Sequence, residues 1–297
     1  MTSQLTHHKI PLSAAAEAAA ISCVLFHPPA PTASTPLVVF VNGLLTKSCD
    51  WDPIIHSLTS LPSPPFILSY DRFSVPPSDP LPADRVTNDI STTARDLGTL
   101  LEKVCPMLSL SPSKTPLVMV GSSIGCCVIR LFAEYYASPI TGYRVAGALF
   151  LDSYIANTDF VSLFPPASAA EPEALTRTRE IIVRYLHPSV KNPEGLSRLN
   201  ARELLPSASE PKLPGDPKLV VVSHDPEYNV EDIPDIDKAC YLRYVQSAWD
   251  EYNDSLLLLS SSGGRGVRAE RSGHFIQRDR PDLVTREIEA VLSSIAQ

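Results

Sequence analysis

Short apolar segments recur along this chain of 297 residues, and most of them contain no alternation of polar and apolar side chains. Such segments are typical of strands in a parallel sheet that is covered on both faces, because a half-exposed strand would alternate. They span residues 21–26, 36–41, 65–70, 116–121, 145–151, 218–223 and 266–270. Helical patterns lie between or after them at 84–105, 125–137, 238–260 and 281–296. This succession predicts an α/β fold with a mostly parallel sheet flanked by helices.

Residues 154–215 interrupt the succession of strands and helices. They contain helical pieces but no segment that resembles the preceding strands. We therefore expect a helical lid inserted over one end of the sheet, with the core domain formed by residues 1–153 and 216–297 together. A hydrophobic content of 44% over 297 residues is sufficient for one domain with a large buried core.

The charge balance and the start of the chain argue against several classes of partner. The net charge is −8 and the lysines and arginines form no cluster, which argues against a nucleic-acid partner. No apolar run approaches the roughly 18 residues that a membrane-spanning helix needs. Residues 1–20 lack the basic region and apolar core of a secretion signal. We expect a cytoplasmic protein that acts on a small molecule, and the sequence leaves the oligomeric state open.

The sequence contains no convincing set of metal ligands. The six cysteines lie at positions 23, 49, 105, 126, 127 and 240 without metal-ligand spacing, which indicates buried free thiols in a reducing compartment. The pair His7-His8 and the stretch "SHDPE" contain suitable residue types but no complete ligand set. No G-x-G-x-x-G motif opens a helix, so neither a metal nor a nucleotide cofactor is expected.

The segment Gly121-Ser122-Ser123-Ile124-Gly125 connects a buried strand directly to an apolar helix. It matches G-x-S-x-G in the strand–turn–helix context that a nucleophile elbow requires. The glycines allow strand and helix to approach closely around a strained turn. The N-terminus of the helix favours developing negative charge. An ordinary turn could carry the same letters, but the context predicts that Ser123 is a nucleophile and that the Ile124 N–H contributes to an oxyanion hole.

A serine nucleophile needs a base, and a histidine beyond the sheet is the usual one. Of the seven histidines, His274 is the best candidate because it follows the last strand and directly precedes the last helix. His224 follows the strand at 218–223 and is the one serious competitor. The others have less suitable settings: His7 and His8 in an N-terminal segment expected to be frayed, His27 before two prolines, His56 in an early helix and His187 in the lid.

Several motifs together resemble those of the α/β-hydrolase superfamily, and the resemblance covers almost the whole chain. "VFVNGLL" resembles the oxyanion segment of that family, with Asn42 where a histidine is common. "YDRFS" resembles the Tyr-Asp-Arg loop, and "SGHFIQRDRPDLV" resembles the terminal histidine loop and helix. In the elbow, Ser122 stands where a histidine is common and Cys126 where glycine or alanine is common. These departures do not affect the nucleophile or the base.

The resemblance implies an eight-stranded type of sheet with an inserted helical lid and a catalytic triad in the order serine, aspartate, histidine. It also implies that the N–H groups of Leu44 and Ile124 form the oxyanion hole. No cofactor is implied.

The acid of the triad is ambiguous because two aspartates stand at the C-terminal ends of predicted strands. Asp152 directly follows "GALFL", and Asp225 follows "VVVSH", which is the commoner position in the family. Members whose C-terminal segment resembles this one often carry the acid after the earlier strand. We therefore favour Asp152 and keep Asp225 as the alternative. Asp71 of the "YDR" loop is assigned a structural role.

These residues predict a serine hydrolase that cleaves a small, largely apolar ester, lactone or thioester through an acyl-enzyme intermediate. The predicted substrate pocket is lined by Asn42, Trp51, Phe73, Tyr154 and Phe164, although apolar lid residues are often only lid core. Two alternatives remain. One is a lyase or cyclase of secondary metabolism on the same fold, and the other is a ligand-binding protein that does not catalyse a reaction.

Overall fold

In the computed structural model, whose described residues are 5–13, 18–137, 142–168, 170–231 and 235–296, eight strands form one sheet. The strands are β1 Leu5–Pro11, β2 Ala20–Phe26, β3 Leu37–Val41, β4 Phe66–Tyr70, β5 Pro116–Ser122, β6 Arg144–Leu151, β7 Lys218–His224 and β8 Arg265–Ala269. Their order across the sheet is β1-β2-β4-β3-β5-β6-β7-β8. The β1–β2 and β2–β4 pairs are antiparallel and the other pairs are parallel. The predicted α/β fold is confirmed.

The first strand was not anticipated by the apolar pattern. β1 has a mostly exposed, polar sequence in which only Ile10 is buried. It is held by antiparallel pairing with β2, in a register that places His7 opposite Val24 and His8 opposite Cys23. The expectation that His7 and His8 lie in a frayed segment is therefore wrong: backbone hydrogen bonds to a buried neighbour replace the apolar burial that the other strands have.

Helices cover both faces of the sheet. They are α1 Asp52–Thr59, α2 Ile90–Met107, α3 Ile124–Tyr136, α4 Glu173–Leu186, α5 Ala201–Leu204, α6 Pro226–Glu231, α7 Lys238–Cys240, α8 Ser247–Leu256, α9 Ile276–Asp279 and α10 Pro281–Ile295. A π-helical segment, Tyr241–Gln246, joins α7 to α8, and short 3-10 turns lie at Ser48–Trp51 and Leu257–Leu259. The helix predicted to start at residue 84 starts only at Ile90, because Asp89 forms a reciprocal capping box with Thr92.

Two apolar layers explain why the strands show no polar alternation. Successive residues of β3 enter opposite layers: Val39 belongs to the layer under α2, α3 and α8, and Phe40 belongs to the layer under α1 and α10. Every residue of β3, β4 and β5 is buried. Burying one such aliphatic or aromatic side chain contributes about 1.5–3 kcal/mol, so this sheet supplies a rigid platform for the loops at its edge.

Between β6 and β7 the described residues form α4, α5 and irregular segments but no strand of the sheet. We refer to residues 154–215, the predicted lid, as the lid segment. Polar contacts tie it to the core: Arg130 of α3 donates to the carbonyls of Ser207 and Glu210, and Asn200 donates to Asp89. Apolar lid side chains, among them Phe160 and Leu205, continue the layer under α3 and α8.

The six cysteines are free thiols. Four of them are buried, as expected, but Cys49 is exposed and Cys240 is half-buried. Burial raises the pKa of the Cys127 thiol to about 11, which makes it unreactive at neutral pH. None of the helices in the described part of the chain combines the length and apolar character that crossing a bilayer requires.

Candidate active site

Ser123 forms the whole connection between β5, which ends at Ser122, and α3, which begins at Ile124. Its backbone has φ 52° and ψ −120°, in a region that residues other than glycine seldom occupy. As the first residue of α3, Ile124 has an N–H without an intrahelical partner. The sharp turn therefore places the serine hydroxyl at the N-terminus of a helix, as the elbow motif predicts.

The two glycines of the motif are required by close packing around this turn. A Cβ on Gly125 would lie 2.2 Å from the carbonyl oxygen of Val41, at the end of β3. A Cβ on Gly121 would lie 2.7 Å from Ile129 Cδ1 and 2.9 Å from Cys126 N. Larger residues at either position would force α3 away from the sheet and displace Ser123.

Backbone hydrogen bonds bring Asp152 next to Ser123. The Ser123 N–H donates to the carbonyl of Leu151, the residue that precedes Asp152, at 2.9 Å. The Asp152 N–H donates to Val222 of β7 at 2.8 Å, and Asp152 has a positive φ of 43°. The serine turn and the aspartate turn are thus fixed to each other by the sheet.

The structure brings Asp152, and not Asp225, to His274. Asp152 is fully buried, and its Oδ2 accepts a hydrogen bond of 2.5 Å from His274 Nδ1. The Asp225 carboxylate accepts instead from the backbone N–H groups of Arg271 and Glu227, at 3.0 and 3.1 Å. Asp225 therefore orders its own loop.

His274 lies in the loop between β8 and α9 and is held on several sides. Its backbone N–H donates to Asn229 Oδ1 at 3.0 Å, and its ring packs edge-on against Trp249, with centroids 5.6 Å apart. About a quarter of the side chain is exposed. Its Nε2 has no hydrogen bond to another side chain in the described part of the chain, Ser123 included.

His224, the competing candidate base, contacts the same carboxylate from its other side. It is fully buried at the end of β7, with Nδ1 2.8 Å from Asp152 Oδ2. Its Nε2 donates to Gln246 Oε1 at 2.7 Å. Both ring nitrogens are therefore engaged with protein groups, which leaves His274 as the histidine with a free nitrogen.

The Asp152 carboxylate and its two histidine neighbours form a cluster of interacting charges. Burial acts to raise the pKa of Asp152, but the charges of His224 and His274 and the hydrogen bond from His274 outweigh it and hold that pKa well below its usual range. Burial likewise acts to lower the pKa of His224, and its interactions with Asp152 and Gln246 outweigh that effect, so the pKa is raised. Asp152 is thus an ionised carboxylate at neutral pH. Side chains of His, Cys, Asp and Glu form no group arranged to hold a metal ion among the described residues.

The loop after β3 contacts the serine turn. A Cβ on Gly43 would lie 3.3 Å from Ser123 Cβ. The Gly43 carbonyl accepts hydrogen bonds from Arg72 Nη2 at 2.7 Å and from Thr46 Oγ1 at 3.0 Å. Because a trans peptide directs its C=O and N–H in opposite directions, this anchoring turns the Leu44 N–H away from Arg72.

Arg72 itself is held by the lid segment. It forms a buried ion pair with Glu194, with Nη2 2.7 Å from Oε2, and it also donates from Nη1 to the carbonyl of Asn42 at 2.6 Å. Glu194 accepts a further hydrogen bond from the Leu45 N–H. The Glu194 carboxylate of the lid segment therefore contacts the loop that carries Leu44, both directly and through Arg72.

Asn42 and Trp51, predicted to line the substrate pocket, are placed differently. Each is 1% exposed, and Trp51 Nε1 donates to Asn42 Oδ1 at 2.7 Å. The Asn42 amide nitrogen donates to the Tyr70 carbonyl at 2.9 Å. Trp51 packs on Phe40 in the layer under α1 and α10. The polar atoms of both side chains therefore form hydrogen bonds within the core. Asn42 supports the loop after β3 from the core side.

The aromatic residues predicted from the lid segment lie in the layer next to the site. Tyr154 packs against Phe160, and Phe160 packs against Trp249, which contacts His274. Phe164 packs against Tyr244 at a tilt and is 6% exposed. Phe73, which lies in the "YDR" loop, is under the Arg85 guanidinium instead. The rings of Trp249, Phe160 and Tyr154 thus form a continuous aromatic row from His274 into the lid segment.

Several residues of the site were not found by sequence reasoning. Trp249, Gln246 and Asn229 reach the two histidines from helices late in the chain, and Glu194 reaches Arg72 from the lid. The one available signal was that tryptophan is rare in this sequence, which has two. None of the four stands in a local motif.

Comparisons with known proteins agree with this architecture. The sequence profile described as "Alpha/beta hydrolase family" matches residues 38–287. No curated protein matches the sequence significantly. Among solved structures, a thermophilic esterase from Thermogutta terrifontis has a TM-score of 0.55 at 16% identity, and the match covers 98% of this chain and 100% of the other.

Two further structures illustrate the range of enzymes with this fold. The 2-hydroxy-6-oxo-6-phenylhexa-2,4-dienoate hydrolase from Rhodococcus sp. strain RHA1 has a TM-score of 0.59 at 17% identity, covering 98% of this chain and 100% of the other. A haloalkane dehalogenase loop variant from Bradyrhizobium elkanii has a TM-score of 0.60 at 15% identity, covering 99% and 98%. At such identities the likeness concerns the fold alone, so the reaction must be argued from the site.

Proposed function

The chain belongs to the alpha/beta hydrolase family, and from that premise we propose that it is a serine hydrolase of small, largely apolar esters, lactones or thioesters. The observation that carries the proposal is the hydrogen bond from His274 to the buried, ionised Asp152, whose backbone is fixed beside the strained Ser123 turn. A fold alone does not define a reaction, whereas a nucleophile, a base and an orienting carboxylate in one place do indicate one.

In the proposed acylation step, Ser123 Oγ attacks the carbonyl carbon and its proton passes to His274 Nε2. The imidazolium then gives that proton to the leaving alkoxide or thiolate as the bond to the acyl carbon breaks. Water repeats the sequence, so that its oxygen adds to the acyl group and Ser123 leaves with the proton. In the free enzyme the contact from serine to histidine is commonly long and tightens when substrate binds.

Asp152 supports this chemistry through charge and geometry. It accepts the Nδ1–H of His274 and thereby keeps Nε2 unprotonated and available to Ser123. Its negative charge also stabilises the imidazolium that forms during the reaction. The backbone N–H groups of Leu44 and Ile124 are the proposed donors to the oxyanion, since Gly43 packs on Ser123 and Ile124 opens α3.

The substrate class follows from the surroundings of the serine. Ser123 is 7% exposed, and the aromatic rings of Tyr154, Phe160 and Trp249 pack in a row that ends against His274. Such surroundings favour a compact apolar acyl group over a peptide chain, which would need polar backbone partners. Tyr154 and Phe160 belong to the lid segment, and we propose residues 154–215 as the cap that selects the substrate.

Labelling with a fluorophosphonate probe tests the nucleophile directly. The wild-type protein should be labelled and Ser123→Ala should not. Ser122→Ala is a matched control in the same turn, because the Ser122 hydroxyl is fully buried and donates to Gln277, so this variant should still be labelled. Absence of labelling in the folded wild-type protein would indicate a ligand-binding protein instead.

A panel of short acyl esters, lactones and thioesters, analysed by mass spectrometry, then identifies the reaction. Products that have gained one water support hydrolysis. Conversion of a substrate without gain of water would indicate a lyase or cyclase and overturn the proposed reaction, although Ser123 could still be labelled.

A further inference from the structure

The carboxylate oxygen that accepts the hydrogen bond from His274 is shared with a second histidine. Asp152 Oδ2 lies 2.5 Å from His274 Nδ1 and 2.8 Å from His224 Nδ1. His224 is fully buried and the proposed reaction does not use it. A buried, polar side chain in contact with the acid of the triad needs an explanation, because burying an imidazole is unfavourable unless its nitrogens are paired.

The hydrogen-bond pattern determines which nitrogens of His224 carry protons. The Gln246 side-chain amide donates from Nε2 to the carboxylate of Asp250 at 3.2 Å. Its Oε1 must therefore face His224 Nε2, which donates a proton at 2.7 Å. If Nδ1 carried no proton, this electron-rich nitrogen would lie 2.8 Å from the carboxylate oxygen of Asp152, a repulsive contact. Attraction at both nitrogens requires the doubly protonated ring.

We propose that His224 is a positioning residue, a buried imidazolium that pairs with Asp152 and holds its carboxylate in place for His274. The proposal rests on the proposed function, since it concerns the acid of that triad. The Nδ1–H of His224 is not aligned with Oδ2, so the contact is an ion pair rather than a directed hydrogen bond. Asp152 Oδ2 therefore keeps its directed hydrogen bond with His274, while the positive charge of His224 compensates the negative charge of the Asp152 carboxylate.

The charged groups around His224 are compatible with a cation there. Asp152 on β6 is its direct counter-charge, and burial of His224 is outweighed by that interaction so that its pKa is raised. From β8, Arg268 donates to the His224 carbonyl at 2.7 Å and acts to lower the pKa. The same guanidinium is itself paired with Asp250 at 2.9 Å, which reduces its effect.

Aromatic and helical packing keeps the ring in this position. The Trp249 ring packs edge-on against both His224 and His274, with centroids 5.8 and 5.6 Å apart. Gln246 belongs to the π-helical segment Tyr241–Gln246, an irregularity that is frequent at functional sites. Gln246 is 4% exposed, so water does not replace it as the acceptor of the Nε2–H.

The protonation state can be measured without any assay of activity. In the wild-type protein labelled with ¹⁵N-histidine, both ring nitrogens of His224 should be protonated at pH 7 by NMR, with the signal assigned by its loss in His224→Asn. Gln246→Leu removes the acceptor of the Nε2–H, and in that variant His224 should lose its second proton at a lower pH. A singly protonated His224 in the wild-type protein at pH 7 would overturn the proposal.

Kinetics then tests positioning. His224→Asn keeps a donor nitrogen near the place of Nδ1 but removes the charge. With p-nitrophenyl acetate, kcat should fall about 10- to 100-fold, the size of effect known for groups that orient metal-binding side chains without touching the metal. The loss of activity at acid pH should also begin at a higher pH, because the Asp152 charge then acts on His274 alone. A merely structural role would not move this pH.

The matched control is His56→Asn, which makes the same change on an exposed ring of α1 and should alter neither kcat nor the pH profile. Wild-type kcat and an unchanged pH profile in folded His224→Asn would contradict the positioning role. Failure of the proposed function gives a different result: Ser123→Ala would retain turnover, while the NMR result would be unaffected.

Discussion

Asp152 and His274 are joined by a hydrogen bond of 2.5 Å between Oδ2 and Nδ1, although 122 positions separate them in the chain. The contact exists because Asp152 directly follows β6 and the loop after β8 returns across the same edge of the sheet. Parallel strands bring their C-terminal ends to one edge, so residues from distant parts of the chain meet there.

Replacing each aspartate by asparagine separates the two candidate acids. Asn has nearly the shape of Asp but no charge, and it can stabilise the wrong tautomer of His274. Asp152→Asn should lower kcat by about 10⁴-fold, as the same change does in a serine protease. Asp225→Asn should lower it by less than about tenfold, because the Asp225 carboxylate accepts from backbone N–H groups of its own loop region and not from His274. Steady-state kinetics on folded variants decides this, and the reverse ranking would make Asp225 the acid.

Ser123 and His274 should behave as one functional unit. Each single alanine variant should lose kcat by about 10⁶-fold, and the double variant should be no slower than either, because the serine is inert without its base. Burst-corrected rates with an activated ester measure this. Additive losses in the double variant would show that the two residues act independently and would remove His274 from the base position.

The buried ion pair of Arg72 and Glu194 should matter for stability. Their side chains are 6% and 3% exposed, and removing one partner leaves an unpaired buried charge. Glu194→Gln should lower the free energy of unfolding by about 3 kcal/mol. Asp282→Asn breaks the more exposed pair with Arg280 and should cost at most about 1 kcal/mol. Urea denaturation of both variants provides the comparison, and equal costs would contradict the prediction.

The pairing of Asp152 with His224 should make stability depend on pH with a defined sign. Burial opposes it, but pairing lowers the pKa of Asp152, so this contribution is present above the unfolded value of about 3.9. The pKa of His224 is raised, so its contribution is complete below about 6.5 and is lost as the pH rises through the folded value.

The stability advantage of the wild-type protein over His224→Asn should therefore be largest between about pH 4 and 6.5 and should shrink at higher pH. Urea denaturation at a series of pH values measures it. An advantage that grows with rising pH would mean that His224 is neutral in the folded protein.

Glycine at position 125 should be indispensable for the elbow. In Gly125→Ala the new Cβ would lie 2.2 Å from the Val41 carbonyl oxygen, so α3 must move, at a cost of about 3 kcal/mol or more. Gly266→Ala in β8 is the control, because its Cβ would meet only Leu257 Cδ1 at 3.6 Å. Thermal unfolding should show a lower Tm for the first variant alone, and a Tm equal to wild type for Gly125→Ala would show that the turn can relax.

The sequence by itself determined the fold and the serine turn, because both depend on local patterns. Apolar runs predicted every strand from β2 to β8, and the glycines around Ser123 describe a turn that has few alternatives. The resemblance of the histidine loop also pointed to His274. In each case the residues that determine the local structure are neighbours in sequence, so a sequence pattern is sufficient to predict it.

The tertiary structure decided what depends on contacts between distant segments. It brought Asp152, and not Asp225, to His274, although each aspartate directly follows a strand. It also brought His224 into contact with the Asp152 carboxylate and buried Trp51 in the core. It also revealed β1, which has no apolar signal of its own and is held by hydrogen bonds to β2. Burial, charge pairing and register are properties of the assembled sheet, and no single stretch of the chain contains them.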